Sequence, residues 1–210
     1  MSASMKMILV LTLLSLAPFL LVMVTSFTRI IVVLHFVRSA LGTQTSPPNQ
    51  VLIGIALFLT LFIMAPVMTQ INKDCIQPYD KGKLTQEEAL NAGLKPIRKF
   101  MFEQTNRKDI RLFMEIEKQS NDVSIEKEDE IPTLVLIPAF MISELRIAFI
   151  IGFLIYLPFI VIDMVVASTL MSMGMMMLPP TTISMPFKIL LFVLADGWNL
   201  VIGQLVKTFY

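Results

Sequence analysis

Charge is scarce in this sequence and unevenly spread. Of 210 residues only 16% are Asp, Glu, Lys or Arg, and 55% are hydrophobic. A soluble domain carries nearer a quarter charged residues. The chain is therefore a membrane protein, or a subunit that buries most of its surface in an assembly. A single cysteine, Cys75, excludes an intrachain disulfide and any cysteine-built metal cluster. A single histidine, His35, leaves little material for His-centred catalysis. There is no phosphate-binding glycine loop, no His-Glu-x-x-His helix and no serine nucleophile elbow. The net charge of +1 makes no case for nucleic acid as a partner. No catalytic constellation, cofactor site or metal site is read from the residues.

The charge that is present marks out the layout. Residues 72–130 hold 11 of the 17 Lys/Arg and 13 of the 16 Asp/Glu. This predicts three segments: an apolar helical pair over 1–71, a polar and largely helical insert over 72–130, and a second apolar helical pair over 131–210. Met7–Phe27 carries no charge and is long enough to cross a hydrocarbon core about 30 Å thick. Ser15-Leu16-Ala17 looks like a small-residue cleavage site, but Pro18 follows at once and the apolar run continues, so a retained helix is expected. Gly42–Gln50 is a breaker loop, and Val51–Ile71 is a second uncharged segment that Pro66 should kink.

In the insert, Thr85-Gln86-Glu87-Glu88 matches a capping box and starts a short helix that Gly93 ends. Pro96 suits the first turn of another, amphipathic helix running to about Lys118, with Asn121–Glu130 an acidic linker. The third apolar region, Ile131–Ile162, is interrupted by Pro132, Pro138, Glu144/Arg146 and Pro158, and the fourth helix is expected over Lys188–Val206. Arg29 and Arg38, with no acid beside them, put the first loop in the cytoplasm and the insert outside.

Two features carry possible chemistry. Met171–Pro180 has five methionines in ten residues, with Gly174 to turn the backbone and Pro179-Pro180 to break a helix. Thioether chains are apolar and adaptable, so Met171, Met173, Met175, Met176 and Met177 are either a soft seal or ordinary filler facing lipid or core. The second feature is charge within apolar segments. A charge near the bilayer centre costs at least ~2.5–3.5 kcal/mol, so Arg29, Glu144, Arg146, Asp163 and Lys188 either pair across helices or subunits or snorkel to an interface. Glu144 is a partner for Lys188, and Asp163 for Arg146 or Arg29. Asp196-Gly197-Trp198 reads as a helix–helix contact.

Five stretches, in this order, resemble the FliP family of flagellar type III secretion export-gate proteins. They are Thr25-Ser-Phe-Thr-Arg-Ile30, Leu41-Gly42 with Pro47-Pro-Asn-Gln50, Ser143-Glu-Leu145, Met173-Gly-Met-Met-Met-Leu-Pro-Pro180, and Pro186-Phe-Lys188 with Asp196-Gly-Trp198. The resemblance implies an all-α fold of long apolar helices in hairpins, membrane-associated and assembled into a helical ring with neighbouring subunits. It implies about five copies with FliQ-like and FliR-like subunits in the bacterial inner membrane at the flagellar basal body, much of the assembly lying on the periplasmic side. Exported flagellar proteins and membrane lipid would be its other partners. It implies a pore closed by Met175, Met176 and Met177, and Glu144 with Lys188 as a subunit-to-subunit salt bridge. Family members usually carry a cleaved signal sequence, whereas this chain starts almost at its first helix. The reading from another class is a proton-coupled solute transporter subunit using Asp163 or Glu144.

Overall fold

Long uninterrupted apolar runs with few breakers favour helix, because a helix satisfies its own backbone polar groups. The computed structural model bears this out. It describes residues 7, 11–12, 15, 18–19, 21–118, 131–175 and 177–210, and among these there are helices and no strands. The expected first helix over 7–27 falls partly outside the described residues, and the acidic linker 121–130 wholly outside them. We number the helices α1 (Phe27–Ala40), α2 (Asn49–Asp80), α3 (Gln86–Gln104), α4 (Arg107–Lys118), α5 (Thr133–Ser172), α6 (Pro180–Leu194) and α7 (Gly197–Lys207). Both α2 and α5 are long and apolar enough to cross a membrane, and α6 with α7, bent by 66°, passes the same test as a pair.

Several boundaries differ from the sequence-based expectation. Gly93 and Pro96 lie inside the single helix α3, where Gly93 faces Cys75: a Cβ there would sit 3.4 Å from Cys75 Sγ, an ordinary contact. The amphipathic stretch is two helices. Asn106 caps α4, its Oδ1 accepting from the Lys108 N–H at 3.0 Å. α2 runs through Pro66 and contains a π-helical turn, Asn72–Ile76. The third apolar region is one helix of 40 residues that absorbs Pro138, Pro158 and Asp163. Proline removes one hydrogen bond, which leaves the rest of so long a ladder to hold the helix. The fourth helix is divided in two. Asp196 adopts a left-handed conformation (φ 50°), and Asn199 Nδ2 donates to its Oδ2 at 3.0 Å. Gly197 lies against the Phe192 ring, where an added Cβ would stand 2.3 Å from Cδ2.

Contacts group the chain into two compact units. One comprises Met1–Thr28 with Met64–Glu144, the other Arg29–Ile63 with Leu145–Tyr210. In the first, α3 and α4 bury Phe100, Met101, Ile110 and Met114, and Phe100 meets Phe140 of α5 edge-on at 6.1 Å between centroids. Arg98 donates to the carbonyl of Ile131 at 2.6 Å and to the Thr133 hydroxyl, which fixes the start of α5. Ser143 ties α4 to α5: its hydroxyl donates to Asp109 Oδ2 at 2.6 Å and accepts from the Asn106 N–H at 2.9 Å. In the second unit, Val37, Ala40 and Leu41 pack with Phe159 and Phe192, flanked by Tyr156 and Trp198. Trp198 meets Phe192 edge-on at 5.3 Å, the contact expected of the Asp-Gly-Trp stretch. Gly152 admits Phe36: an added Cβ would stand 2.4 Å from the ring, and overpacking of that kind costs ~1–3 kcal/mol.

Candidate functional site: the methionine turn and the charges behind it

All the following contacts lie in the second unit. Its site is the hairpin formed by the C-terminal half of α5 and by α6. α5 ends in a glycine cap. The Gly174 N–H donates to the Met171 carbonyl at 3.0 Å and the Met175 N–H to the Leu170 carbonyl at 3.0 Å, with Gly174 at φ 75°. This is a Schellman motif, and only glycine takes that φ without steric cost. Met171 and Ser172 therefore close α5, and Pro180 opens α6, where its fixed φ suits a first turn. The expected non-helical stretch is 171–180; among the described residues, 171, 172 and 180 are helical and 173–175 and 177–179 are not. Met171, Met173, Met175 and Met177 are all exposed, Met177 by 98%. Met176 lies outside the described residues.

Behind the turn the hairpin is held by charge. Lys188 Nζ of α6 lies 2.6 Å from Asp163 Oδ2 of α5, and the Ser184 hydroxyl donates to Asp163 Oδ1 at 2.5 Å. The Lys188 side chain is 3% exposed and that of Asp163 26%. Ser184 and Lys188 are four residues apart, so they share one face of α6 and reach the same carboxylate. Within one chain Lys188 takes Asp163, and Asp163 takes Lys188 and Ser184, a pairing absent from the expected ones; the Glu144–Lys188 bridge that the family resemblance implies is a contact between subunits. The reason is spacing. Glu144 and Asp163 stand 19 residues apart on α5, about 28 Å of helix, so within one chain a lysine opposite one cannot serve the other. Glu144 is fully buried on α5, and Arg146 is at an exposed position of the same helix.

Arg29, buried in α1, reaches the C-terminal end of the chain. Its Nη1 donates to the Thr208 carbonyl at 3.1 Å and to Thr208 Oγ1 at 3.0 Å, and its guanidinium lies 3.9 Å over the Phe209 ring. A planar cation can make both contacts at once.

Reading the residues missed Ser184, Ser143, Asp109, Thr208 and Phe209. Two had a usable signal: Ser184 stands one helical turn before Lys188, and Asn106-Arg107-Lys108-Asp109 has the form of a cap with an acid at its third position. Thr208 and Phe209 had none.

Among the described residues no group of His, Cys, Asp and Glu is placed to hold a metal ion. What the hairpin offers is mechanical: an exposed thioether turn on a helix pair locked by an ion pair.

Comparison with known proteins points to one family. A family model described as FliP family matches residues 10–205. The chain is 53% identical over 208 residues to the flagellar biosynthetic protein FliP of Bacillus subtilis (strain 168), covering 99% of this chain and 93% of that protein. It is 48% identical over 207 residues to flagellar biosynthetic protein FliP of Pectobacterium carotovorum subsp. carotovorum, covering 99% and 79%. It is 48% identical over 206 residues to that of Aquifex aeolicus (strain VF5), covering 98% and 86%. Because the family model spans residues 10–205 and the relatives are about half identical over nearly the whole chain, the chain belongs to the FliP family.

Proposed function

We propose that this chain is a pore-forming core subunit of the flagellar type III protein export gate, passing unfolded flagellar subunits, and that its methionine turn closes the pore. The observation that carries the reading is the turn itself. Its described methionines point away from their own chain at the tip of a capped, ion-paired hairpin. Exposed apolar side chains gathered in one place mark a surface that something else covers. Copies of the same turn arranged around an axis cover one another, and thioethers pack densely yet yield to a passing chain. The gate is a ring of about five copies with FliQ-like and FliR-like subunits. It sits in the bacterial inner membrane at the flagellar basal body, with much of the assembly toward the periplasm. The same arrangement gives the apolar outer faces of α5 and α6 neighbours, among them Phe149, Phe153, Leu190 and Leu194, all exposed in the single chain.

The test is to replace Met173, Met175 and Met177 together with alanine and measure permeability to small ions in cells that make the complex. A leak with the complex still at its full mass is expected. Unchanged permeability in an assembled complex overturns the seal.

A further inference from the structure

The hairpin that carries the methionine turn has a second support, and it comes from the loop between α1 and α2. In that loop Gly42 has φ 77°, and a Cβ built on it would stand 3.9 Å from Met185 Cβ and 4.0 Å from Lys188 Nζ. The loop lies along the first turns of α6: Gly42–Ser46 and Thr181, Thr182 and Met185 line one cleft of about 380 Å³. The first turn of α6 is where the chain leaves the methionine turn. Whatever holds the loop also sets the wall against which that exit rests.

Arg38 holds it. Its Nη1 donates to Asn49 Oδ1 at 2.5 Å and to the Pro47 carbonyl at 3.4 Å, so one guanidinium grips the far end of the loop. Its Nη2 donates to His35 Nδ1 at 2.9 Å, which orients the fork from one turn earlier on α1. Its backbone carbonyl accepts from the Thr43 hydroxyl at 3.2 Å, which holds the near end. A lysine has a single point of attachment and cannot reproduce that fork.

We propose that Arg38 is a positioning residue for the gate: it closes the Gly42–Ser46 loop into a bracket against the start of α6, and the bracket fixes the exit of the methionine turn. The inference rests on the reading of that turn as the pore seal. Its chemistry is separate from the Asp163–Lys188 pair, which locks α6 to α5 and not to the loop.

The experiment uses the full complex, with Cys75→Ser as background and spin labels at the exposed positions 44 and 182. In Arg38→Ala the complex keeps its mass and the 44–182 distance distribution broadens. Small-ion leak rises on the order of tenfold, the effect of losing one or two charge-assisted hydrogen bonds on a two-state closure. Arg38→Lys restores both readouts part of the way. A 44–182 distance unchanged in Arg38→Ala overturns the bracket. So does a broadened distance without leak in a complex that leaks when Met173, Met175 and Met177 are alanine. If the methionine variant does not leak, the seal reading falls first and the bracket loses its role with it.

Discussion

The two ends of the α5–α6 hairpin are built from opposite materials. At the tip, Met173, Met175 and Met177 are exposed apolar chains on a turn held by backbone bonds and one glycine. Eight residues into α6, about 12 Å of helix, Lys188 is almost fully enclosed and ion-paired to Asp163, with Ser184 on the second carboxylate oxygen. The tip can change shape at little cost because thioethers have many rotamers and no directional bonds to break. The charged level cannot, because removing one partner leaves the other without compensation in a poorly solvated place. The proposed seal needs a stiff mounting, and the soft tip and the charged level lie within one hairpin.

That contrast can be broken at its stiff end first. Lys188→Met removes the cation but keeps the bulk, leaving Asp163 unpaired. The expected loss is about 3 kcal/mol, at the low end for a buried pair because Asp163 is partly exposed. The melting temperature and yield of the detergent-extracted complex check it, and the double variant Lys188→Met with Asp163→Leu should recover much of the loss. A smaller effect is expected of Ser184→Ala, which takes one donor from a carboxylate that keeps its lysine. About 1 kcal/mol is lost, readable as a lower melting temperature with the ion pair intact. At the soft end, Met177→Ala should change the stability of the chain's own fold by no more than ~0.5 kcal/mol, since the side chain is 98% exposed in its own chain. An equal loss of stability at Met177 and Ser184 would erase the distinction between tip and mounting.

A last test uses a polar cap in the other unit as reference. Glu88 closes the box at the start of α3: its carboxylate accepts from the Thr85 N–H and hydroxyl, each at 2.8 Å. The Thr85 backbone bond, then the Thr85 side-chain bond, hold its pKa below the ordinary glutamate value. A lowered carboxylate pKa stabilises the fold at pH above the unfolded-state value and loses that contribution as pH falls through the folded one. Protection of the first-turn amides of α3, corrected for intrinsic exchange, should therefore fall as pH drops through the glutamate range, and Glu88→Gln should abolish that pH dependence. This is the smallest of the four effects, because the cap is fully exposed.

Much of this was legible along the chain. The Thr85–Glu88 box is a local pattern, and it formed as read because cap and helix lie within four residues. The methionine turn was legible for the same reason: Gly174 and Pro179-Pro180 act on the backbone beside them. The interior prolines misled, since Pro96, Pro138 and Pro158 all sit inside helices. Their breaking tendency is local, and the rest of a long hydrogen-bonded ladder outweighs one lost bond. Charge partners were not legible. Asp163 and Lys188 are 25 residues apart, Arg29 and Thr208 are 179 apart, and nothing in spacing says which acid a lysine will face.

By itself, then, the sequence determined that the chain is helical, that its charge is concentrated in 72–130, and that a glycine-and-proline-bounded methionine turn joins two apolar segments. It did so through composition and short-range backbone preference, which need no knowledge of neighbours. Only the tertiary structure decided that Lys188 faces Asp163, that Arg29 holds Thr208 and Phe209, and that α6 and α7 part at Asp196. Those outcomes depend on which faces of distant helices meet. A buried charge or a glycine against a ring has a definite energy only once its neighbours are in place.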